Sequence, residues 1–165
     1  MKKLISIILI LSFLLCLFSF NVSAATCESL AKNEIVISET TEYFEDGSSV
    51  TTTVTQFINQ NTSRATKTVS GSKTATVKNT DGDVLYKFKV TGTFSVNEGV
   101  SATCTAVSCS ASNLASGWSL DSYSTSKSGN KASATSVFKH KILGITNATK
   151  ETSVSISCSV NGTLS

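Results

Sequence analysis

The stretch VLYKFKVTGTFSV, residues 84–96, constrains the fold more than any other part of the chain. Val84, Tyr86, Phe88, Val90, Phe94 and Val96 fall on even positions, and Lys87, Lys89, Thr91, Thr93 and Ser95 on odd ones. Successive side chains of a strand point to opposite faces, so this pattern makes one apolar face and one wet face. A helix would spread the same residues around its circumference. Gly92, inside the run, marks a bulge or a close approach of another chain segment.

Weaker copies of the pattern follow along the chain. Residues 34–44 read as a strand. EDGS at 45–48 reads as a hairpin turn, because Asp-Gly supplies the positive φ such a turn requires. The return strand, SSVTTTVTQFI, puts Val50, Val54 and Ile58 on one face. Residues 66–78 are strand-like, with an interruption at Ser70-Gly71. NTDGD leads into the long strand and NEG leads out of it. Val100, Ala102, Cys104 and Ala106 share a face in the next strand. Trp118 and Leu120 head another, SGN at 128–130 turns the chain, 132–139 returns, ILG breaks the run, and 146–160 closes the fold. Val154, Ile156, Cys158 and Val160 share a face of that last strand. The abundant Thr suits the wet face of a sheet. The expectation is an all-β chain: an antiparallel β-sandwich, immunoglobulin-like in architecture, with about seven or eight strands. A closed β-barrel is the alternative.

The N-terminus specifies a compartment. Lys2 and Lys3 precede an unbroken apolar run, which ends in the small residues Val22, Ser23, Ala24 and Ala25. That is the layout of a secretory signal peptide, residues 1–24, with cleavage after Ala24. The mature part, residues 25–165 or about 140 residues, suits a single secreted domain. The chain contains no proline, which excludes a wall-sorting signal of the LPxTG type, and no second apolar run follows, so no membrane association is expected after cleavage.

Cleavage also resolves the odd cysteine count. Cys16 leaves with the signal peptide, and Cys27, Cys104, Cys109 and Cys158 remain. An even number in an exported chain reads as two disulfides. Cys104 and Cys158 both occupy core-facing positions of strands, so Cys104–Cys158 is expected as an inter-sheet bridge. Cys27–Cys109 then ties the N-terminus to the rest. A zinc site needs clustered ligands, which the spacing lacks. No metal or other cofactor is expected.

The formal charge is +3. Removing Lys2 and Lys3 leaves twelve basic residues against eleven acidic ones, which makes no electrostatic case for nucleic acid. The charge is unevenly spread: residues 25–63 carry one basic residue, Lys32, and six acidic ones. Catalytic groups are scarce. His140 is the one histidine, flanked by Lys139 and Lys141, and no G-x-S-x-G motif is present. The acidic residues near 39–46 surround a turn, and NTDGD lacks the downstream glutamate of a calcium loop. Trp118, the one tryptophan, is either a ligand-stacking platform or a core residue packed on the Cys104–Cys158 bridge.

The segments TEYFEDGS, KTVSGSKTATVKNTDGDVLYKFKVTGTFSV, SGWSLDSYSTSKSGNKASAT and SCSVNGTLS resemble those of small exported proteins of Gram-positive, clostridia-like bacteria. The likeness spans most of the mature chain. It implies a bacterial origin and an exported location, and it assigns no activity to any residue. The expected role is a non-enzymatic binding module, secreted and acting at the cell surface or in the extracellular space. Its partner would be a wall polymer, a glycan or a surface protein. A secreted structural or self-assembling protein is the alternative. A hydrolase, toxin or inhibitor ranks below both.

Overall fold

The computed structural model describes residues 34–58 and 66–165. The expected signal peptide, residues 1–24, and Cys27 lie outside the described residues. Eight strands form: β1 (Glu34–Tyr43), β2 (Ser49–Phe57), β3 (Thr66–Lys78), β4 (Val84–Asn97), β5 (Ser101–Ser112), β6 (Trp118–Ser128), β7 (Lys131–Ile142) and β8 (Ile145–Ser157). They make a five-stranded sheet ordered β1-β2-β3-β4-β5 and a three-stranded sheet ordered β6-β7-β8. Every pairing is antiparallel and joins neighbours in sequence. The result is a two-sheet β-sandwich. Among the described residues the two sheets are not joined into one, so the alternative of a closed barrel is not formed.

The even residues of β4 line the inner face as the alternation requires. Tyr86, Phe88, Val90, Phe94 and Val96 are all buried. Opposite them lie Ala132, Ala134 and Phe138 of β7, and Val154 and Ile156 of β8. Phe138 stacks on Tyr86 at 3.8 Å between ring centroids and meets Phe88 edge-on at 6.0 Å. Among the described residues, no buried side-chain nitrogen or oxygen lacks a hydrogen-bond partner.

Two facing glycines shape this interface. Gly71 of β3 pairs with Gly92 of β4. A Cβ on Gly92 would lie 2.7 Å from the Phe94 ring and 3.1 Å from Ala132 Cβ. A Cβ on Gly71 would collide with Leu164 Cδ1 and with the Thr55 carbonyl. Leu164 reaches Gly71 because the chain doubles back after β8. Ser157 and Ser165 exchange both backbone hydrogen bonds at 3.0 Å, and Cys158 bridges to Leu164. The returning tail therefore buries Leu164 against β3.

The structure refines or departs from the sequence reading at several places, and Val100, expected on the shared face of the Cys104 strand, lies in the turn before β5 and is exposed. β3 runs unbroken through Ser70-Gly71, because Gly71 is needed for a close approach and does not end the strand. Ile58 follows β2 and is exposed, so it does not extend the Val50–Val54 face. Val160 sits in the turn beyond β8 and is exposed. In β5 the alternation reverses at a bulge: Thr93 pairs with Ala106, and Phe94 with Cys104, leaving Thr105 as the extra residue. Cys104 faces the core before the bulge, and Val107, Cys109 and Ala111 pack against it after the bulge, so Ala106 is turned outward. Finally, the ILG break is a tight hairpin, with Leu143 at φ 49° and Gly144 at φ 81°. Left-handed backbone costs a non-glycine residue about 1–2 kcal/mol, and such turns usually carry Asn, Asp or Gly at the first position.

Candidate functional site

Three strands cannot cover five. β8 packs on β3 and β4, β7 on β4 and β5, and β6 beside β5. The inner face of β2 at Val50 and Thr52 is therefore only partly covered beside β8. There a groove of about 510 Å³ forms. Val50, Thr52, Ala75 and Val77 make its floor, and residues 150–155 of β8 make its wall. Glu42, Phe44, Lys73, Lys150 and Glu151 add charge and an aromatic ring to the lining.

The wall is an unpaired strand edge. Ser157 turns its N–H and C=O away from β7 toward Ser165. Alternation along the strand turns Glu151, Ser153 and Ser155 the same way. No strand among the described residues pairs with this stretch. The groove thus offers a row of backbone donors and acceptors above a mostly small, apolar floor. At its inner end the Tyr86 hydroxyl and the Thr152 hydroxyl share a hydrogen bond of 3.0 Å that joins the two sheets. Burial pushes the Tyr86 hydroxyl above its usual range, and the Thr152 bond only partly offsets this. In the turn between β1 and β2, Ser48 donates its hydroxyl and amide hydrogen bonds to Asp46. These bonds, helped by the charge of Lys150, hold the Asp46 carboxyl below its usual range. The resulting stabilisation of the turn is present above the ordinary carboxylate pKa and is lost as pH falls through the lowered one.

The residues singled out in the sequence lie elsewhere. Cys104 and Cys158 are buried at one end of the inter-sheet core, one on each sheet. The Cys104 N–H donates to the Gly129 carbonyl at 2.7 Å, and the Cys158 N–H to the Asn130 carbonyl at 3.0 Å. The two cysteines thus flank adjacent residues of a single turn. Cys104, Cys109 and Cys158 carry free thiols in the structure. Burial pushes all three above their usual range. The Cys27–Cys109 pairing involves a residue outside the described ones. Trp118 is half-buried at the far end of β7, stacked on His140 at 5.2 Å and tilted against Tyr86 at 5.3 Å. It therefore packs on these rings and not on the two cysteines. His140 Nδ1 lies 2.8 Å from Asn147 Oδ1, and Asp121 pairs with Lys139 at 2.9 Å. The turn carboxylates Asp81 and Asp83 are organised around Asn79, whose Oδ1 accepts both of their N–H groups.

Sequence reasoning did not anticipate the groove. Its lining comes from five strands, and its position depends on which part of the larger sheet the smaller one leaves open. No family model, no curated protein and no solved structure matches the chain.

Proposed function

We infer that the chain is an exported, non-enzymatic binding module of the bacterial cell surface that takes an extended polypeptide segment of a surface partner in the groove beside β8. The unpaired β8 edge carries this reading. A strand laid along it gains main-chain hydrogen bonds, and its alternate side chains meet the floor at Val50, Ala75 and Val77. The test uses purified Gram-positive cell walls with their surface proteins attached, mixed with the mature chain at low and high salt. Retention is expected, and Ser153→Pro should abolish it. The Ser153 N–H points to the open edge, so proline there removes a donor for the partner and spares the β7 ladder. Thermal melting checks that the variant folds. No retention at either salt would remove surface binding. Retention unchanged in Ser153→Pro would place the contact outside the groove.

A second reading, self-assembly, rests on β1. All its residues are exposed, it forms an outer edge, and it carries Ile35, Val36 and Ile37 in succession. A long, exposed, apolar edge strand invites edge-to-edge addition. Sedimentation velocity should then show oligomers that grow with protein concentration and disappear in Ile35→Lys/Ile37→Lys. A mature protein that stays monomeric at every concentration would sink this reading.

A further inference from the structure

The β7–β8 hairpin ends in a feature that the sandwich does not use. Ile142 and Ile145 are paired, and Leu143-Gly144 makes the two-residue loop between them. Leu143 is 98 % exposed, Ile145 73 % and Ile142 54 %. All residues from 141 to 147 are exposed, so the tip projects beyond the last core contacts at Phe138 and Trp118. The base of the tip is held firmly. Lys141 N–H donates to the Gly117 carbonyl at 2.9 Å, and His140 is tied to Asn147 across a bulge.

Leu143 is a poor residue for its own backbone. At φ 49° in this turn, Asn or Gly would be more comfortable, and neither would expose an apolar side chain. Local folding therefore does not account for a leucine here. Charge points to what does. Residues 139–150 contain Lys139, Lys141 and Lys150 and no carboxylate. Lys139 is engaged by Asp121, and Lys150 faces toward Asp46. Lys141, immediately behind the aliphatic apex, forms no ion pair among the described residues.

We propose that this tip docks the protein onto an anionic lipid surface, with Ile142, Leu143 and Ile145 entering the bilayer interface and Lys141 meeting the headgroups. The order of side chains along the hairpin fits that environment: aliphatic at the apex, cationic one residue pair behind. Two residue pairs of a strand span about 7 Å, within the depth of about 5–10 Å at which interfacial segments sit. The contact is peripheral. Residues 141–145 do not line the groove, so the contact stands or falls independently of it.

The test is co-sedimentation of the mature chain with vesicles of phosphatidylglycerol and, separately, of phosphatidylcholine. Binding to the anionic vesicles is expected, with much weaker binding to the zwitterionic ones. Leu143→Asn should lower the affinity by about tenfold or more, the effect of withdrawing one large aliphatic side chain from an apolar environment. The same change relaxes the turn, so the melting temperature should hold or rise, which separates lost docking from lost folding. Lys141→Gln should cost about fivefold, and added salt should mimic it. No binding to anionic vesicles, or Leu143→Asn binding like the parent, would overturn the proposal. So would self-association of the parent that Leu143→Asn abolishes without lipid, since the tip would then be a contact between protein copies.

Discussion

Gly71→Val is expected to destabilise the protein by at least about 3 kcal/mol, at the upper end of overpacking changes. Part of the new side chain would occupy space held by Leu164 Cδ1 and by the Thr55 carbonyl. The first is the end of a buried leucine side chain, which must change rotamer or shift the C-terminal tail. The second is backbone of the paired strand β2, so no change of rotamer relieves it. A domain of this size has only about 5–15 kcal/mol of total stability, so the loss takes a large share. Urea unfolding of the mature chain measures it. Leu164→Ala alone should cost about 2–5 kcal/mol as a buried leucine truncation. Combined with Gly71→Val, its cost should be less than additive, because the two side chains compete for one space. A Gly71→Val protein with an unchanged midpoint would show that the tail does not seat on β3.

The second large effect belongs to the cysteines. In protein recovered from an oxidising medium, Cys104 is expected to be joined to Cys158, each thiol giving up its proton and the electron pair passing to a disulfide-bearing oxidant. The two backbones hydrogen-bond to adjacent carbonyls, Gly129 and Asn130, of one turn. The bridge would tie β5 to the end of β8 and close a long loop, which stabilises by about 4 kcal/mol in the chain-entropy model. Cys104–Cys109 is a poor rival even though both face inward. Five residues along a strand separate them by about 16 Å, against a Cα spacing of about 7 Å at most for a disulfide. Peptide mapping without reduction identifies the pairing. Cys104→Ser and Cys158→Ser should lower the urea midpoint alike, since either removes the same bond. In the reduced protein, both buried thiols should label only as the chain opens, because burial keeps them protonated and out of reach. Free thiols in the oxidised protein would refute the pairing.

The alternation that builds the sandwich is local in origin, and so it is legible in the sequence. In β4 each residue's face follows from its neighbours' alternation, and the buried set matches it. Asp-Gly at 46–47 and Ser-Gly-Asn at 128–130 mark turns because their backbone preferences act over a few residues. Gly92 was legible as a close approach, although not which ring would lie over it. Cys104 and Cys158 were legible as core-facing for the same local reason.

Other features depend on contacts between segments far apart in the chain. The bulge at Thr105 reverses the face of half a strand. It is braced by distant groups: the Lys127 ammonium donates to the Thr105 carbonyl at 2.7 Å, and the Thr105 hydroxyl to the Thr93 carbonyl at 3.1 Å. Nothing in TCTAVSC reports those partners. Trp118 looked ambiguous because its neighbours, Tyr86 and His140, come from other strands. The exposed apex at Leu143 read only as a break, since sequence cannot show that no other segment covers it.

Alternation and turn chemistry, both short-range, determined by themselves that this chain forms antiparallel strands with one apolar face. Only the tertiary structure decided that three strands would lie over five, that β8 would keep an open edge above the face of β2 and β3, and that the tail would return to fill the space at Gly71. Those outcomes follow from how two twisted sheets of unequal width bury the most apolar surface, a balance to which distant residues contribute together.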